Sequence, residues 1–112
     1  MTSSVVWPEP PRWTREKLVR LLERRLKGKA QEAWLIGSHA ARRAHAHSDV
    51  DLILVRDTNL PWPERAKPLL PLLAPFGAMD LLVYTPGEWR ELSRSPTHFL
   101  REARKDWIPL RV

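Results

Sequence analysis

Apolar positions follow two different spacings along the chain, and these predict an alternation of helices and strands. Four leucines between positions 18 and 26 recur every three or four residues, so they form one apolar stripe on a predicted helix. Thr14 is a suitable N-cap for that helix, which we expect to run to about Lys27. Gly28 then favours a helix end, because glycine readily adopts the left-handed conformation of a C-terminal cap.

Short continuous apolar runs predict three buried strands. The first covers 33–36 and ends at Gly37-Ser38, the second covers about 49–55, and the third covers about 78–84. Between the first two strands, the alanine-rich segment 39–46 predicts a short helix. We expect those two strands to be antiparallel around this helix.

Prolines interrupt the segment between the second and third strands. Residues 60–76 contain five prolines, and each proline inside a helix costs about 3 kcal/mol. We therefore expect one or two short helical pieces packed on the sheet, with the leucines of this segment buried. As a crossover it allows the second and third strands to be parallel.

The remaining segments complete a single predicted domain. Thr85-Pro86-Gly87-Glu88 has the pattern of a capping box with proline at the first helical position. Ser95-Pro96 begins another predicted helix to about Lys105, and residues 107–112 read as a short extended tail. Residues 1–12 are proline-rich and predict an extended arm before a domain over residues 13–112.

Length and composition limit the possible classes of protein. With 112 residues and 43% apolar content, the chain is sufficient for one domain with a modest core. It contains no cysteine, which excludes disulfides and thiolate metal sites and favours a reducing cytosol. No apolar run approaches the ~20 residues needed to span a bilayer. The N-terminal segment lacks the pattern of a secretory signal. We therefore expect a cytoplasmic protein without a membrane partner.

The charge balance favours polyanionic partners. The net charge is +6, which suits nucleotides, nucleic acid or an acidic protein. The basic residues are spread in small clusters along the chain, so solvated surface faces are an equally ordinary explanation for most of them.

Three aspartates stand in or beside the apolar runs and point to metal chemistry. Asp49 and Asp51 are two apart on the second predicted strand, so both would project from the same face. Asp80 lies inside the third run, and parallel pairing of the two strands would bring it beside Asp51. Carboxylates grouped on a buried face repel each other and resist desolvation. A divalent cation such as Mg²⁺, which prefers oxygen ligands, is the usual compensation.

Gly37-Ser38, Asp49, Asp51 and Asp80, in this order and spacing, resemble the active-site pattern of the DNA polymerase β-like nucleotidyltransferase superfamily. Within that superfamily, the short length resembles the minimal nucleotidyltransferases of bacteria and archaea, which are often encoded beside a HEPN-domain partner. The resemblance implies an α/β (α+β) fold, with a small mixed sheet and flanking helices like the polymerase palm.

The resemblance also implies an activity. It suggests a metal-dependent nucleotidyltransferase that moves a nucleoside monophosphate, AMP from ATP, onto a hydroxyl group. Two Mg²⁺ ions, for which Mn²⁺ can substitute, would be held by Asp49, Asp51 and Asp80. The acceptor would be a HEPN toxin, which makes the chain an antitoxin, and a homo-oligomer is the other expected assembly. The alternative is a catalytically weak or inactive module of the same fold that binds a partner protein or RNA.

The predicted nucleotide contacts lie around the glycine-serine pair. Gly37 would let the backbone approach a phosphate closely, and the Ser38 hydroxyl would donate a hydrogen bond to it. Ser48 is a further candidate, since it directly precedes the acids.

Two arginines follow the glycine-serine pair at an unusual spacing. Minimal nucleotidyltransferases have arginine-glycine at the fifth and sixth positions counted from Gly37, whereas this chain has Ala41 and Arg42. The arginine is displaced by one and the glycine is missing. Phosphate contact is therefore expected from either Arg42 or Arg43.

Overall fold

The structure, a computed structural model, describes residues 9–112. Most of the predicted proline-rich arm, residues 1–8, lies outside the described residues. The strands in the described part are β1 (Glu32–Ile36), β2 (Val50–Val55), β3 (Met79–Tyr84) and β4 (Ile108–Leu110). The helices are α1 (Arg15–Leu26), α2 (Gly37–Ala40), α3 (Leu70–Leu73), α4 (Pro86–Arg94) and α5 (His98–Asp106).

Helix α1 has the predicted cap and buried stripe. The Thr14 hydroxyl accepts a hydrogen bond of 3.1 Å from the Lys17 amide, which satisfies one of the amides that a helix N-terminus leaves without an intrahelical partner. Leu18, Leu22 and Leu26 are fully buried. The leucine periodicity therefore predicted the correct face of this helix.

The strands form one mixed sheet in the order β3-β2-β1-β4. Strands β1 and β2 are antiparallel and β2 and β3 are parallel, which confirms both predicted pairings. The predicted extended tail forms β4, which pairs antiparallel with β1. The side chain of Leu110 is buried in this pairing, which explains why so short a strand is held at the edge.

Helices cover both faces of the sheet. On one face, Leu52 and Leu54 pack in a cluster with the leucines of α1 and with Leu73 of α3. On the other face, Trp34 and Ile53 pack with residues of α4 and α5. Because both faces are covered, the strands are apolar along most of their length, as a largely buried sheet requires.

Three tryptophans anchor the second face. Trp34 of β1 stacks on Trp89 of α4 and on Trp107, which follows α5, with ring centroids 4.9 and 4.7 Å apart. Stacked aromatic pairs add about 0.5–1.5 kcal/mol to the burial of their surface. The stack therefore fixes α4 and the end of α5 against the centre of the sheet.

The proline-rich crossover is built of short helical pieces, as predicted. Trp62–Glu64, Lys67–Leu69 and Ala74–Phe76 are single 3₁₀ turns on either side of the four-residue α3. Leu69 is buried, whereas the side chain of Leu70 is half exposed, so the expectation that all leucines of this segment are buried was wrong. Closely spaced prolines keep each helical piece short, so one continuous apolar face cannot form.

An arginine connects this crossover to the sheet and to α4. Thr85 and Glu88 form the predicted capping box, with bonds of 3.3 and 2.9 Å. Arg65 donates 2.6 and 3.1 Å hydrogen bonds to the Glu88 carboxylate and a 3.2 Å bond to the Val83 carbonyl. The bonds from Arg65 to the Glu88 carboxylate lower the pKa of Glu88, because its ionised form accepts them.

Helix α2 is shorter than the predicted helix over 39–46. It starts at Gly37, ends at Ala40 and is followed by a loop. Arg42 has a positive φ of 59°, which cannot continue a right-handed helix. Alanine content therefore overestimated the helix, because a single residue in the left-handed conformation ends it.

Among the helices that the structure describes, none has the length and apolarity needed to cross a membrane.

Candidate functional site

The end of β1 is shaped by a close contact between Gly37 and Asp51. Gly37 has a φ of +74°, and a methyl group added to it would collide with the Asp51 carboxylate, whose Cγ would be 3.2 Å away. Register explains the contact, because Ile36 is paired with Asp51 across the antiparallel strands. Glycine is required here both by its dihedral angle and by the space that Asp51 occupies.

Asp51 and Asp80 lie side by side on neighbouring strands. They are partners in the parallel register of β2 and β3, so their Cα atoms are separated by about one interstrand spacing, roughly 4.8 Å. Both side chains line a cleft of about 390 Å³. Gly37, Ser38 and Arg43 line the same cleft. The predicted meeting of Asp51, Asp80 and the glycine-serine pair is therefore found in one cavity.

The environment of Asp51 disfavours its negative charge. Burial, together with the neighbouring carboxylates Asp80 and Asp49, raises the pKa of Asp51 to about 6. Among residues 9–112, no ion pair involves Asp51 or Asp80, although Arg43 lines the same cleft. A carboxylate pair with excess negative charge and oxygen donors has the chemistry of a divalent cation site.

Asp49 and Ser48 lie beside this cleft rather than in it. Strand β2 begins at Val50, so Asp49 is an exposed residue immediately before the strand. Both residues line a neighbouring cleft of about 260 Å³. The Ser48 hydroxyl accepts a 2.9 Å hydrogen bond from the His45 amide. Ser48 therefore stabilises the loop before β2.

The three aspartates do not form a ready metal cluster. Within residues 9–112, no three histidine, cysteine or acidic side chains are grouped closely enough to hold a metal ion. Asp51 and Asp80 are the two acids that the structure brings together. Charge and donor chemistry at this pair fit a hard cation, and further ligands would come from Asp49 or from phosphate oxygens.

Of the two arginines, the structure places only Arg43 in the cleft. The guanidinium of Arg42 makes a bidentate ion pair with Glu16 of α1, with distances of 3.2 and 2.8 Å. The positive φ of Arg42 turns its side chain towards α1. Arg43 follows it, donates its amide to the Ser38 carbonyl at 2.8 Å and has its side chain at the cleft.

Sequence reasoning missed the contribution of α5. The cleft is also lined by one face of this helix: Phe99, Glu102, Ala103, Lys105 and Asp106. Helix α5 was predicted, but its position over β1 and α2 depends on packing against Trp34, which no local pattern encodes. The available signal was Phe99, a large apolar residue immediately before the core residue Leu100.

One solved structure has a similar fold. A protein from Sulfolobus solfataricus classed as a nucleotidyltransferase has a TM-score of 0.50 to this chain and 17% sequence identity, over 86% of this chain and 81% of that one. The chain has the nucleotidyltransferase fold. At this identity the likeness concerns the fold alone, and the nucleotidyltransferase fold includes the small mixed sheet on which Asp51 and Asp80 lie.

Two further solved structures give weaker matches. One is described as a toxin-antitoxin with AMP-PNP, with TM-score 0.43 and 21% identity over 87% of this chain and 72% of that one. The other is a tri-AMPylated Shewanella oneidensis HEPN toxin in complex with MNT antitoxin, with TM-score 0.36 and 19% identity over 86% and 67%. No protein-family model and no curated protein matches the sequence.

Substitution of Gly37 tests the contact with Asp51. Gly37→Ala and Gly28→Ala both place alanine at a positive φ, of 74° and 76°, but an added methyl group meets no atom within 4 Å at Gly28. We expect Gly28→Ala to cost about 1 kcal/mol of unfolding free energy. Gly37→Ala should cost at least about 1 kcal/mol more, because it adds a steric clash. Urea denaturation measures both, and equal losses would contradict a close contact.

The raised pKa of Asp51 predicts a pH dependence of stability in the absence of divalent cations. The folded-state pKa of about 6 exceeds the ordinary value of 3.8, so the folded state binds the Asp51 proton more tightly than the unfolded state does. The stability that this proton contributes is complete below pH 3.8 and is lost as the pH rises through 6. Asp51→Asn should remove this dependence and be more stable than the unmodified chain above pH 6, by on the order of 1–2 kcal/mol after solvent screening. Below pH 3.8 the two should converge.

Asp57→Asn is the matched control for this pH experiment. Asp57 is exposed, follows β2 and accepts a 3.1 Å hydrogen bond from Gln31, which an asparagine oxygen can also accept. Its stability difference from the unmodified chain should stay flat between pH 4 and 8. A flat difference for Asp51→Asn as well would mean that Asp51 is solvated in solution.

The left-handed residue Arg42 gives a third test. Arg42→Gly and Arg42→Ala both remove the ion pair with Glu16, but only glycine relieves the strain of the positive φ. We expect Arg42→Gly to be more stable than Arg42→Ala by about 1 kcal/mol. Thermal and urea unfolding of the two variants, with Glu16→Gln to report the ion pair alone, provide the comparison. Equal stability of the glycine and alanine variants would show that the turn changes shape on substitution.

Proposed function

We propose that this chain is a metal-dependent nucleotidyltransferase that moves AMP from ATP onto a hydroxyl group. The observation that carries the proposal is the register pairing of Asp51 with Asp80 on parallel strands, in a cleft that Gly37 and Ser38 also line. Phosphoryl-transfer sites depend on positioned charges rather than on covalent chemistry. Two acids beside a phosphate-accessible turn meet that requirement.

In this proposal the phosphates of ATP bind at the end of β1. Gly37 has no side chain to obstruct them, and the Ser38 hydroxyl would donate a hydrogen bond to them. Arg43 supplies a positive charge in the same cleft and would contact the phosphate tail. Arg42 would not contact the tail from its present position, because it does not line this cleft and its guanidinium pairs with Glu16.

The acids would hold the metal, and one of them would activate the acceptor hydroxyl. Asp51 and Asp80, joined by Asp49, would hold Mg²⁺, with Mn²⁺ able to substitute. When bound, the metal neutralises charge that develops on the phosphate oxygens during transfer. Asp80 is the exposed member of the pair, so its carboxylate is the group placed to accept the proton of the attacking hydroxyl. Asp51, being more buried, would contribute mainly to binding.

The proposed acceptor is a hydroxyl on a HEPN-domain protein, which would make the chain an antitoxin. This partner rests on the resemblance of the motif to minimal nucleotidyltransferases, since the structural matches to toxin-antitoxin complexes are weak. A protein acceptor is compatible with a small domain whose catalytic cleft is open to solvent. Assembly with that partner, or with a second copy of the chain, would complete the cleft.

A non-catalytic binding module is the second candidate. The loop position of Asp49 outside the cleft favours it, because a two-metal site needs all three acids. Such a module would bind a nucleotide, a partner or RNA without turnover. Turnover therefore distinguishes the two candidates, and nucleotide binding alone does not.

Binding and transfer experiments test the proposal separately. Calorimetry with Mg²⁺ and a non-hydrolysable ATP analogue should show binding that Asp51→Asn weakens at least about ten-fold. Asp80→Asn should bind the analogue nearly normally but reduce transfer by about 100-fold or more, since its contribution is made mainly in the transition state. Transfer is followed as AMP radiolabel, carried on the α-phosphate of ATP, incorporated into a HEPN-domain protein that is supplied as the acceptor.

Asp57→Asn serves as the charge control in both experiments and should behave like the unmodified chain. Nucleotide binding without label transfer under any metal condition would support the binding module. If no nucleotide bound in the presence of Mg²⁺ or Mn²⁺, the transferase and a nucleotide-binding module would both be rejected, and a module that binds only a partner or RNA would remain.

A further inference from the structure

Helix α5 presents one face to the cleft that contains the acids. Phe99, Glu102, Ala103 and Asp106 are spaced by three or four residues and all line the cavity, as expected for one face of a helix. Leu100 lies about 100° around the helix from Phe99 and is fully buried in the core. The helix is therefore fixed by its core face, and its cleft face is held in a defined position.

Phe99 is exposed within this cavity. Its side chain is 47% exposed, although the adjacent Leu100 is fully buried. An exposed aromatic ring inside a concave site is a common feature of ligand pockets, which combine apolar walls with a few polar groups. Leu82 and Ala103 line the same cavity and are partly buried. Together these three residues form an apolar shelf.

The apolar shelf lies close to the acidic pair. Leu82 is two residues after Asp80 on β3, so both side chains are on the same face of the strand, roughly 6.6 Å apart along it. That separation is similar to the length of a sugar between an α-phosphate and a base. One ligand of about 390 Å³ or less could contact both the acids and the shelf.

The charges on α5 do not favour a second phosphate subsite there. Lys105 is paired with Glu102 at 2.8 Å, and this pairing lowers the pKa of Glu102. Asp106 adds a further negative charge to the same face. A neutral aromatic group is thus a better occupant of the shelf than a phosphate.

We propose that the ring of Phe99 stacks on the nucleobase of the bound nucleotide and so supplies much of the affinity for the nucleoside part. This inference rests on the proposed function, because the nucleotide must first bind at the acidic pair. It adds a residue that determines nucleoside affinity outside the motif around Gly37 and the three aspartates. Stacking on an aromatic side chain is tolerant of base identity, since every base has a π-face.

The test compares ATP with tripolyphosphate, which has the phosphates but no base. Phe99→Ala should weaken binding of Mg²⁺-ATP by about 5- to 150-fold, the range found for base-stacking residues. Binding of Mg²⁺-tripolyphosphate should change by less than about two-fold. Phe99→Tyr should retain ATP affinity, whereas Phe99→Leu, which keeps apolar surface without a ring, should fall between tyrosine and alanine.

Leu70→Ala is the matched control, because Leu70 is 50% exposed but lies on α3, outside the cleft. It should leave both affinities unchanged. Equal ATP affinity of Phe99→Ala and the unmodified chain would overturn the stacking role while leaving the proposed function intact. Equal weakening of ATP and tripolyphosphate would also overturn it, since the effect would then be structural. Failure of the unmodified chain to bind either ligand would reject the proposed function as well.

Loss of partner binding with unchanged ATP affinity would assign Phe99 to a protein interface instead, and so would also reject stacking. Light scattering of the unmodified chain and Phe99→Ala, each mixed with the HEPN protein, provides this measurement. Under the stacking proposal, both form the same assembly.

Discussion

The pairing of β1 with β2 is the constraint on which the candidate site depends. It sets Ile36 opposite Asp51, and the parallel pairing of β2 with β3 sets Asp51 opposite Asp80. One row across the strands therefore contains the turn at Gly37, then Asp51, then Asp80. A slip of one residue in either pairing would send an acid to the opposite face, into the leucine core. Burial of both faces makes that slip costly, so the core protects the geometry of the cleft.

Much of this row could be predicted from sequence because its signals are local. Asp51 and Asp80 each stand within an apolar run, where a carboxylate is conspicuous, and Gly37-Ser38 follows another such run. The proline-rich crossover excluded a long helix and still allowed parallel pairing, which brought the two acids together. The cap at Thr14 could likewise be predicted, since it depends on residues within one helical turn.

Other features depended on information that no short segment contains. The position of Asp49 depended on whether β2 starts one residue earlier or later, a difference below the precision of strand boundaries. Which of Arg42 and Arg43 lines the cleft depended on the backbone conformation at one residue. The position of Phe99 depended on how α5 packs against a tryptophan stack far away in sequence. Each is a tertiary outcome, and each changes which side chains reach the cleft.

The left-handed turn at Arg42 has a consequence for how such a turn is recognised in a sequence. Arginine adopts a positive φ of 59° here, and Glu16, on a different element, pairs with its guanidinium. Glycine would adopt the same dihedral angle without strain, so one backbone path is compatible with either residue. A motif that requires glycine at this position would not describe this sequence, although the chain makes the turn that glycine favours.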